Sequence, residues 1–123
     1  MPTSGRRHDL GAAFGYALAG LLAAWRTERN LRIHVTVAAA VVIAGAVLRL
    51  PAAAWAIVCL TITLVVAAEL FNAAVETVVD LVSPDDHPLA KRAKDVAAAG
   101  VLVAAAGAVA VGICLAVWAA GRG

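Results

Sequence analysis

Three long apolar runs and one stretch of alternating character divide the chain. The first run, Ile33 to Leu50, is interrupted by ionisable side chains only at His34 and Arg49. The second, Leu50 to Ala68, has nineteen residues and no charge, and the third, Val96 to Ala120, has twenty-five and no charge. A bilayer hydrocarbon core of about 30 Å needs about 20 helical residues. The pattern therefore predicts an all-α fold with membrane-spanning helices over residues 31–50, 52–82 and 89–120, the middle one extending beyond its apolar part. The first span is short and relies on Leu31 and on snorkelling by Arg32 and Arg49. Pro51 opens the second, where a helix tolerates proline. Residues 8–28 differ: Leu10, Phe14, Ala17, Leu18, Leu21 and Trp25 recur at three- and four-residue spacing, which makes one apolar face on an otherwise mixed helix. An amphipathic helix in the membrane interface fits, with Tyr16 and Trp25 suited to headgroup level. The stretch Ser83-Pro84-Asp85-Asp86-His87-Pro88 reads as a loop, with two prolines in six residues.

Composition changes the reading from helical to membrane-embedded. Of the 123 residues, 63% are hydrophobic and 15% charged, and the mean hydropathy is +0.92. Soluble domains carry about 25% charged residues. The length suits one domain, so residues 1–123 are expected to act as a unit. An ordinary soluble enzyme and a disordered chain are both excluded. A nucleic-acid partner is not expected, because the net charge is only +2 and the basic residues are not interleaved with aromatics. Cys59 and Cys114 lie in apolar runs without CxxC or histidine spacing, so they are expected to be buried, unreactive thiols. Arg6 and Arg7 are followed by Asp9 and a mixed stretch rather than an apolar core, so no cleavable signal is expected.

Charge sets the expected orientation. Arg6, Arg7, Arg26, Arg29, Arg32, Lys91, Arg92 and Lys94, eight of the ten basic residues, fall before the first span or between the second and third. Only Arg49 and Arg122 fall at the other ends. The N-terminus and the loop at 83–88 should be cytoplasmic and the C-terminus outside. Gly100, Gly107 and Gly112 among the alanines of the third span either let helices approach closely or simply reflect an alanine-rich composition.

The chemistry lies where the second helix continues past its uncharged run. At 100° per residue and with Glu69 as zero, Asn72 falls at about −60°, Glu76 at about −20° and Asp80 at about +20°. Three carboxylates and an amide share one stripe on an otherwise apolar helix. Like charges at this spacing repel, and an ionised side chain at bilayer depth costs on the order of 2.5–3.5 kcal/mol. A cation, a basic partner or a reaction must offset that cost. Glu69 lies roughly 26 Å along the helix from Ala52, near the inner edge of the hydrocarbon, and Asp80 about 16 Å further toward water. The stripe therefore runs from lipid depth to solvent. Glu28, before the first span, and Lys91, Arg92, Lys94 and Asp95, before the third, belong to the same level. Carboxylates with lysines suit Mg²⁺ and phosphate. Phosphoryl transfer needs these parts together with a base beside the attacking hydroxyl. Neither a GxxxxGK[ST] loop nor a kinase glycine-rich loop is present.

The spacing Glu69-x-x-Asn72-x-x-x-Glu76-x-x-x-Asp80, followed by Ala93-Lys94-Asp95-x-Ala97-Ala98-Ala99, resembles the small bacterial membrane lipid kinases, the prokaryotic diacylglycerol kinases and related undecaprenol kinases. The resemblance covers residues 10–120. It implies a homotrimer with three spans and an interfacial helix per subunit, using MgATP to phosphorylate a primary hydroxyl of a membrane lipid. By resemblance Glu69 matches the general base, Glu28 and Glu76 match the Mg²⁺-binding carboxylates, and Asn72, Lys94 and Asp95 match residues completing the catalytic and nucleotide site. Tyr16, Asp80 and His87 match positions near the nucleotide, and Trp25 and Ala98 positions beside the lipid substrate. Arg29-Asn30-Leu31-Arg32-Ile33-His34 resembles the RNxKIH stretch of the undecaprenol branch, with Arg32 in place of lysine, and His87-Pro88-Leu89-Ala90-Lys91 resembles the same branch. Undecaprenol is thus the favoured acceptor, with diacylglycerol as the alternative. His34 lies on an apolar face and receives no chemical role.

Two other classes compete. A small ion or drug transporter would use intramembrane carboxylates, but transport sites lie near the bilayer midplane, and every acidic residue here except Glu69 falls clearly at the cytoplasmic side. A structural subunit without chemistry leaves the shared face of Glu69, Asn72, Glu76 and Asp80 unexplained.

Overall fold

The computed structural model describes residues 9–122. Within them the chain is all α-helical: α1 (Leu10–Thr27), α2 (Arg29–Val47), α3 (Ala52–Val82) and α4 (Pro88–Ala120). Arg6 and Arg7, counted above among the cytoplasmic cations, and the first residue of the expected 8–28 helix lie outside the described residues. Helices α2, α3 and α4 are each long and apolar enough to cross a membrane. At 1.5 Å per residue α2 reaches about 29 Å, which matches a bilayer core, whereas α3 and α4 reach about 46 and 50 Å and must project beyond it. α4 packs along α3, α2 packs on α3, and α1 touches both α2 and α3.

Proline and capping chemistry set the boundaries. Asp9 caps α1, its Oδ1 accepting from the Gly11 amide at 3.0 Å. α1 and α2 are separated by Glu28 alone, which adopts an extended conformation (φ −100°, ψ 101°). The break frees the last carbonyls of α1, and Arg32, one turn into α2, takes them: its guanidinium donates to the oxygens of Trp25 (2.7 Å) and Arg26 (3.1 Å). The first span ends at Val47 rather than at the expected residue 50. Leu50 precedes Pro51, which disfavours the α conformation there. The chain instead closes with Arg49 N–H on Ala46 O, Leu50 N–H on Gly45 O, and Arg49 in the left-handed region (φ 55°). Arg122, at the end of α4, donates to the oxygens of Leu48 and Arg49 and lies 4.5 Å over the Trp118 ring. Ser83 (φ −133°, ψ 79°) and the extended His87, each before a proline and neither helical, end α3 and start α4.

The interior is a thin seam. Leu50, Ala54 and Val58 form one end of it with Trp55, Ile62 and Leu115 against them. Val65, Ala104 and Leu31 continue it toward the other end. Gly45 allows the closest approach: a Cβ there would sit 2.9 Å from both Leu50 Cδ1 and Trp55 Cη2. Nothing lies within 4 Å of a Cβ placed on Gly100, Gly107 or Gly112, so within the chain close approach on α4 is made by Ala104 instead. The cysteine expectation needs correction too, since Cys59 and Cys114 are exposed. Each spanning helix buries only a narrow stripe, and both thiols fall on the outward arcs. α1 buries no residue, and Leu10, Phe14, Leu18, Leu21 and Trp25 all stand open along its face, as suits a helix resting on an interface.

Candidate functional site

The stripe on α3 forms as its periodicity requires, and its members grade from buried to solvated. Glu69 is 3% exposed and Asn72 8%, Glu76 is half-buried and Asp80 is exposed. These are the two buried polar residues of the described chain. Asn72 Nδ2 donates to Glu76 Oε1 at 3.5 Å, one helical turn on, a long contact. Asn72 Oδ1 is buried and finds no donor among the described residues. At the solvated end Lys94 Nζ of α4 donates to Asp80 Oδ1 at 2.5 Å. Lys94 and Lys91 precede the apolar run that begins at Val96. The Asp80 hydrogen bond and charge hold the Lys94 ammonium above its ordinary value of 10.5, and the hydrogen bond to Asp95 raises Lys91 likewise.

Glu69 has a partner that the sequence reading left without a role. His34 Nε2 of α2 stands 3.0 Å from Glu69 Oε1. The ring meets the oxygen off the line of an N–H bond, so Oε1 remains without an aligned donor. This is ion-pair distance and the right chemistry, but a hydrogen bond still to be drawn straight. The spacing along the chain gave no hint of it. His34 and Glu69 lie on different helices, and their meeting depends on how α2 is rotated against α3.

His34 also lines an apolar groove of about 420 Å³ between α2, α3 and α4, whose walls include Val37, Val41, Ile62, Val65 and Leu115. Thr61 is the other polar residue on this wall, and its hydroxyl already donates to Ile57 O at 2.7 Å. A second, more open cavity of about 620 Å³ lies under the α3–α4 loop, lined by Asp80, Asp85, Asp86, His87, Lys91 and Lys94 among others. There His87 also caps α4, Nδ1 accepting from the Leu89 amide at 3.1 Å.

Other candidate residues stand further apart. Asp95 pairs with Lys91 on its own helix at 2.6 Å, facing solvent. Tyr16, Trp25 and Ala98 are exposed on the single chain, and none of them lines either cavity. Glu28 is half-buried at the α1–α2 break, where Thr27 Oγ1 reaches its Oε1 at a long 3.5 Å. Among the described residues no group of three His, Cys, Asp or Glu side chains gathers to hold a metal. Glu28 and Glu76 form no ion pair there either, although the Glu76 charge helps to hold Lys94 protonated. Glu28 and Glu76 carry hard carboxylate oxygens, the donor class that Mg²⁺ takes through one or two carboxylates while water and phosphate complete its shell.

Comparison with known proteins points one way. The family model described as prokaryotic diacylglycerol kinase matches residues 15–116. A Synechocystis protein named diacylglycerol kinase is 50% identical over 108 residues, 87% of this chain, and the match spans 62% of that relative's length. A Bacillus subtilis protein named undecaprenol kinase is 40% identical over 106 residues, 84% of this chain and 86% of its own. An Escherichia coli K12 protein named diacylglycerol kinase is 39% identical over 107 residues, 86% of each chain.

Proposed function

The chain belongs to the prokaryotic diacylglycerol kinase family, and on that premise we propose that it is an ATP-dependent kinase of a membrane lipid alcohol. The carrying observation is the position of Glu69: a carboxylate 3% exposed, in contact with a residue that lines an apolar groove, at the buried end of a polar stripe leading to Lys94. A lipid hydroxyl reaches such a base from the hydrocarbon side, and a phosphate donor reaches the other end from water.

The step is an in-line displacement. The lipid hydroxyl oxygen attacks the γ-phosphorus of ATP as its proton passes to Glu69. The bond between the γ-phosphorus and the β–γ bridging oxygen breaks, and ADP leaves with that electron pair. Burial keeps water away from Glu69, so the lipid hydroxyl is the acceptor at hand. Lys94, held charged by Asp80, is placed to neutralise phosphate oxygens. Asn72 steadies Glu76. Glu28 and Glu76 are the residues that would hold Mg²⁺, which when bound offsets charge on the phosphates. Asp80, His87, Lys91 and Lys94 around the loop cavity give the nucleotide its place. Tyr16, Trp25, Ala98 and Asp95 stand on the outside of a single chain, where a neighbouring copy would bring them into a shared site. A homotrimer supplies such neighbours. The orientation that fits is N-terminus and loop in the cytoplasm, C-terminus outside, in the bacterial inner membrane.

For the acceptor we favour undecaprenol, on the Arg29–His34 stretch: Arg32 secures the α1–α2 break and His34 meets Glu69. Diacylglycerol is the second reading, favoured by the name of the Synechocystis relative at 50% identity. Purified protein in mixed micelles with MgATP tests both. Transfer to undecaprenol faster than to diacylglycerol at equal mole fraction supports the first, the reverse order the second, and transfer to neither overturns the kinase reading.

A further inference from the structure

We propose that His34 is a positioning residue for phosphoryl transfer: its Nε2–H holds Glu69 Oε1, which turns Oε2 toward the acceptor hydroxyl at the mouth of the α2–α3–α4 groove. The inference rests on Glu69 being the base of the lipid kinase proposed above. Three observations carry it. Nε2 is 3.0 Å from an oxygen that is otherwise buried and unpartnered. A carboxylate without a donor in this setting is strongly disfavoured, so the imidazole is its available stabiliser. His34 is 26% exposed and its open part lines the groove, so one ring touches both the base and the space beside it.

The bond is not straight on the single chain, and catalytic hydrogen bonds often tighten only when substrate binds. An acceptor entering the groove packs against the ring, and a small rotation brings Nε2–H into line with Oε1. The carboxylate then has one oxygen tied and one free. A tied carboxylate presents its proton-accepting lone pair in a single direction, and misplacement of a reacting group by about 1 Å costs about 100-fold in rate. Both the neutral Nε2–H tautomer and the cation present a donor to Oε1, so the role needs no change in the charge of His34. No proton moves to His34 in this step. The hydroxyl proton stays on Glu69 until product leaves.

Side-chain replacements separate this role from plain packing. A glutamine at 34 sets its amide N–H near the place of Nε2, an asparagine falls short of it, and a leucine fills the volume without a donor. In mixed micelles with the acceptor that the wild-type protein uses, His34→Leu should lower kcat on the order of 10- to 100-fold while the lipid KM changes by less than about threefold. His34→Gln should return kcat to within about fivefold of wild type, and His34→Asn should not. A second readout does not depend on turnover. In the ¹⁵N-histidine spectrum of the full-length protein in micelles, the resonance that disappears in His34→Gln should show a proton on Nε2, and Glu69→Ala should shift it. Unchanged kcat in His34→Leu, equal losses in the Gln and Leu variants, or a His34 resonance indifferent to Glu69→Ala would each overturn the proposal. A rise in lipid KM alone would make His34 a lipid contact instead. A wild-type protein without lipid-dependent transfer is a different failure, since it removes the kinase reading while the His34 resonance still reports whether the pair exists.

Discussion

Replacing Glu69 by glutamine should lower activity without lowering stability. The side chain is 3% exposed, and among the described residues its Oε1 has only the His34 ring as a polar neighbour. An ionised group costs on the order of 2.5–3.5 kcal/mol at the bilayer centre and less near the edge, where Glu69 is expected. Glutamine keeps the shape and an oxygen for His34 while removing the charge. The unfolding free energy of Glu69→Gln should therefore stay level or rise by up to about 2 kcal/mol, allowing for the lost charge-assisted contact. A glutamine cannot take the hydroxyl proton, and loss of a general base costs about 10²- to 10⁴-fold. At 1.36 kcal/mol per tenfold, that is about 2.7–5.5 kcal/mol of transition-state stabilisation. Steady-state phosphorylation in mixed micelles reads the second quantity, and denaturant titration of the same preparation, followed by tryptophan fluorescence, reads the first. A variant that keeps more than about a tenth of wild-type kcat/KM refutes the base assignment. A variant that loses activity together with more than about 2 kcal/mol of stability shows that Glu69 holds the fold rather than the reaction.

Other consequences follow from the same geometry. Gly45→Ala places a methyl 2.9 Å from Leu50 Cδ1 and Trp55 Cη2; overpacking of about 1–3 kcal/mol should exceed the helix-propensity gain of about 1 kcal/mol, whereas Gly107→Ala, with open space around it, should not destabilise, as paired denaturant titrations would show. Arg49→Gly relieves the left-handed backbone at φ 55° and should raise stability by roughly 1 kcal/mol in the same titration, and a loss would mean that the arginine side chain anchors the turn. Lys94→Ala should raise the KM for MgATP by tenfold or more with less effect on the lipid KM, measured by varying each substrate in turn. Lys94 is held above 10.5 by Asp80, so its share of stability is complete below that value and is lost only as pH climbs through the raised one; the ratio of wild-type to Lys94→Ala activity should stay flat from about pH 6 to 9.

Periodicity carried much of this molecule. The spans and the polar stripe are local properties of single helices, and 100° per residue is enough to place Glu69, Asn72, Glu76 and Asp80 on one face. The loop was legible too, because Ser83 and His87 precede prolines. What escaped depends on relations between helices. The rotation of α2 on α3 brings His34 to Glu69, and no spacing within either helix encodes it. Glu28 appears in the sequence as the flank of one helix, yet it is the hinge between two, and only the reach of Arg32 back to Trp25 O explains why the break is tolerated. The cysteines were misplaced because in so small a helical chain most of each spanning helix faces outward, so an apolar neighbourhood in sequence does not mean a protein interior. Asp95, expected beside the stripe, finds Lys91 one turn away on its own helix.

The central claim is transfer of phosphate from a soluble nucleotide to a lipid hydroxyl. Purified protein in lipid vesicles, given γ-labelled ATP with Mg²⁺ and undecaprenol, tests it most directly. The label should pass into the organic phase as a lipid monophosphate, and omission of Mg²⁺, omission of the lipid or Glu69→Gln should each abolish that transfer. Label that stays in the aqueous phase as ATP or free phosphate, with undecaprenol and with diacylglycerol alike, would contradict it.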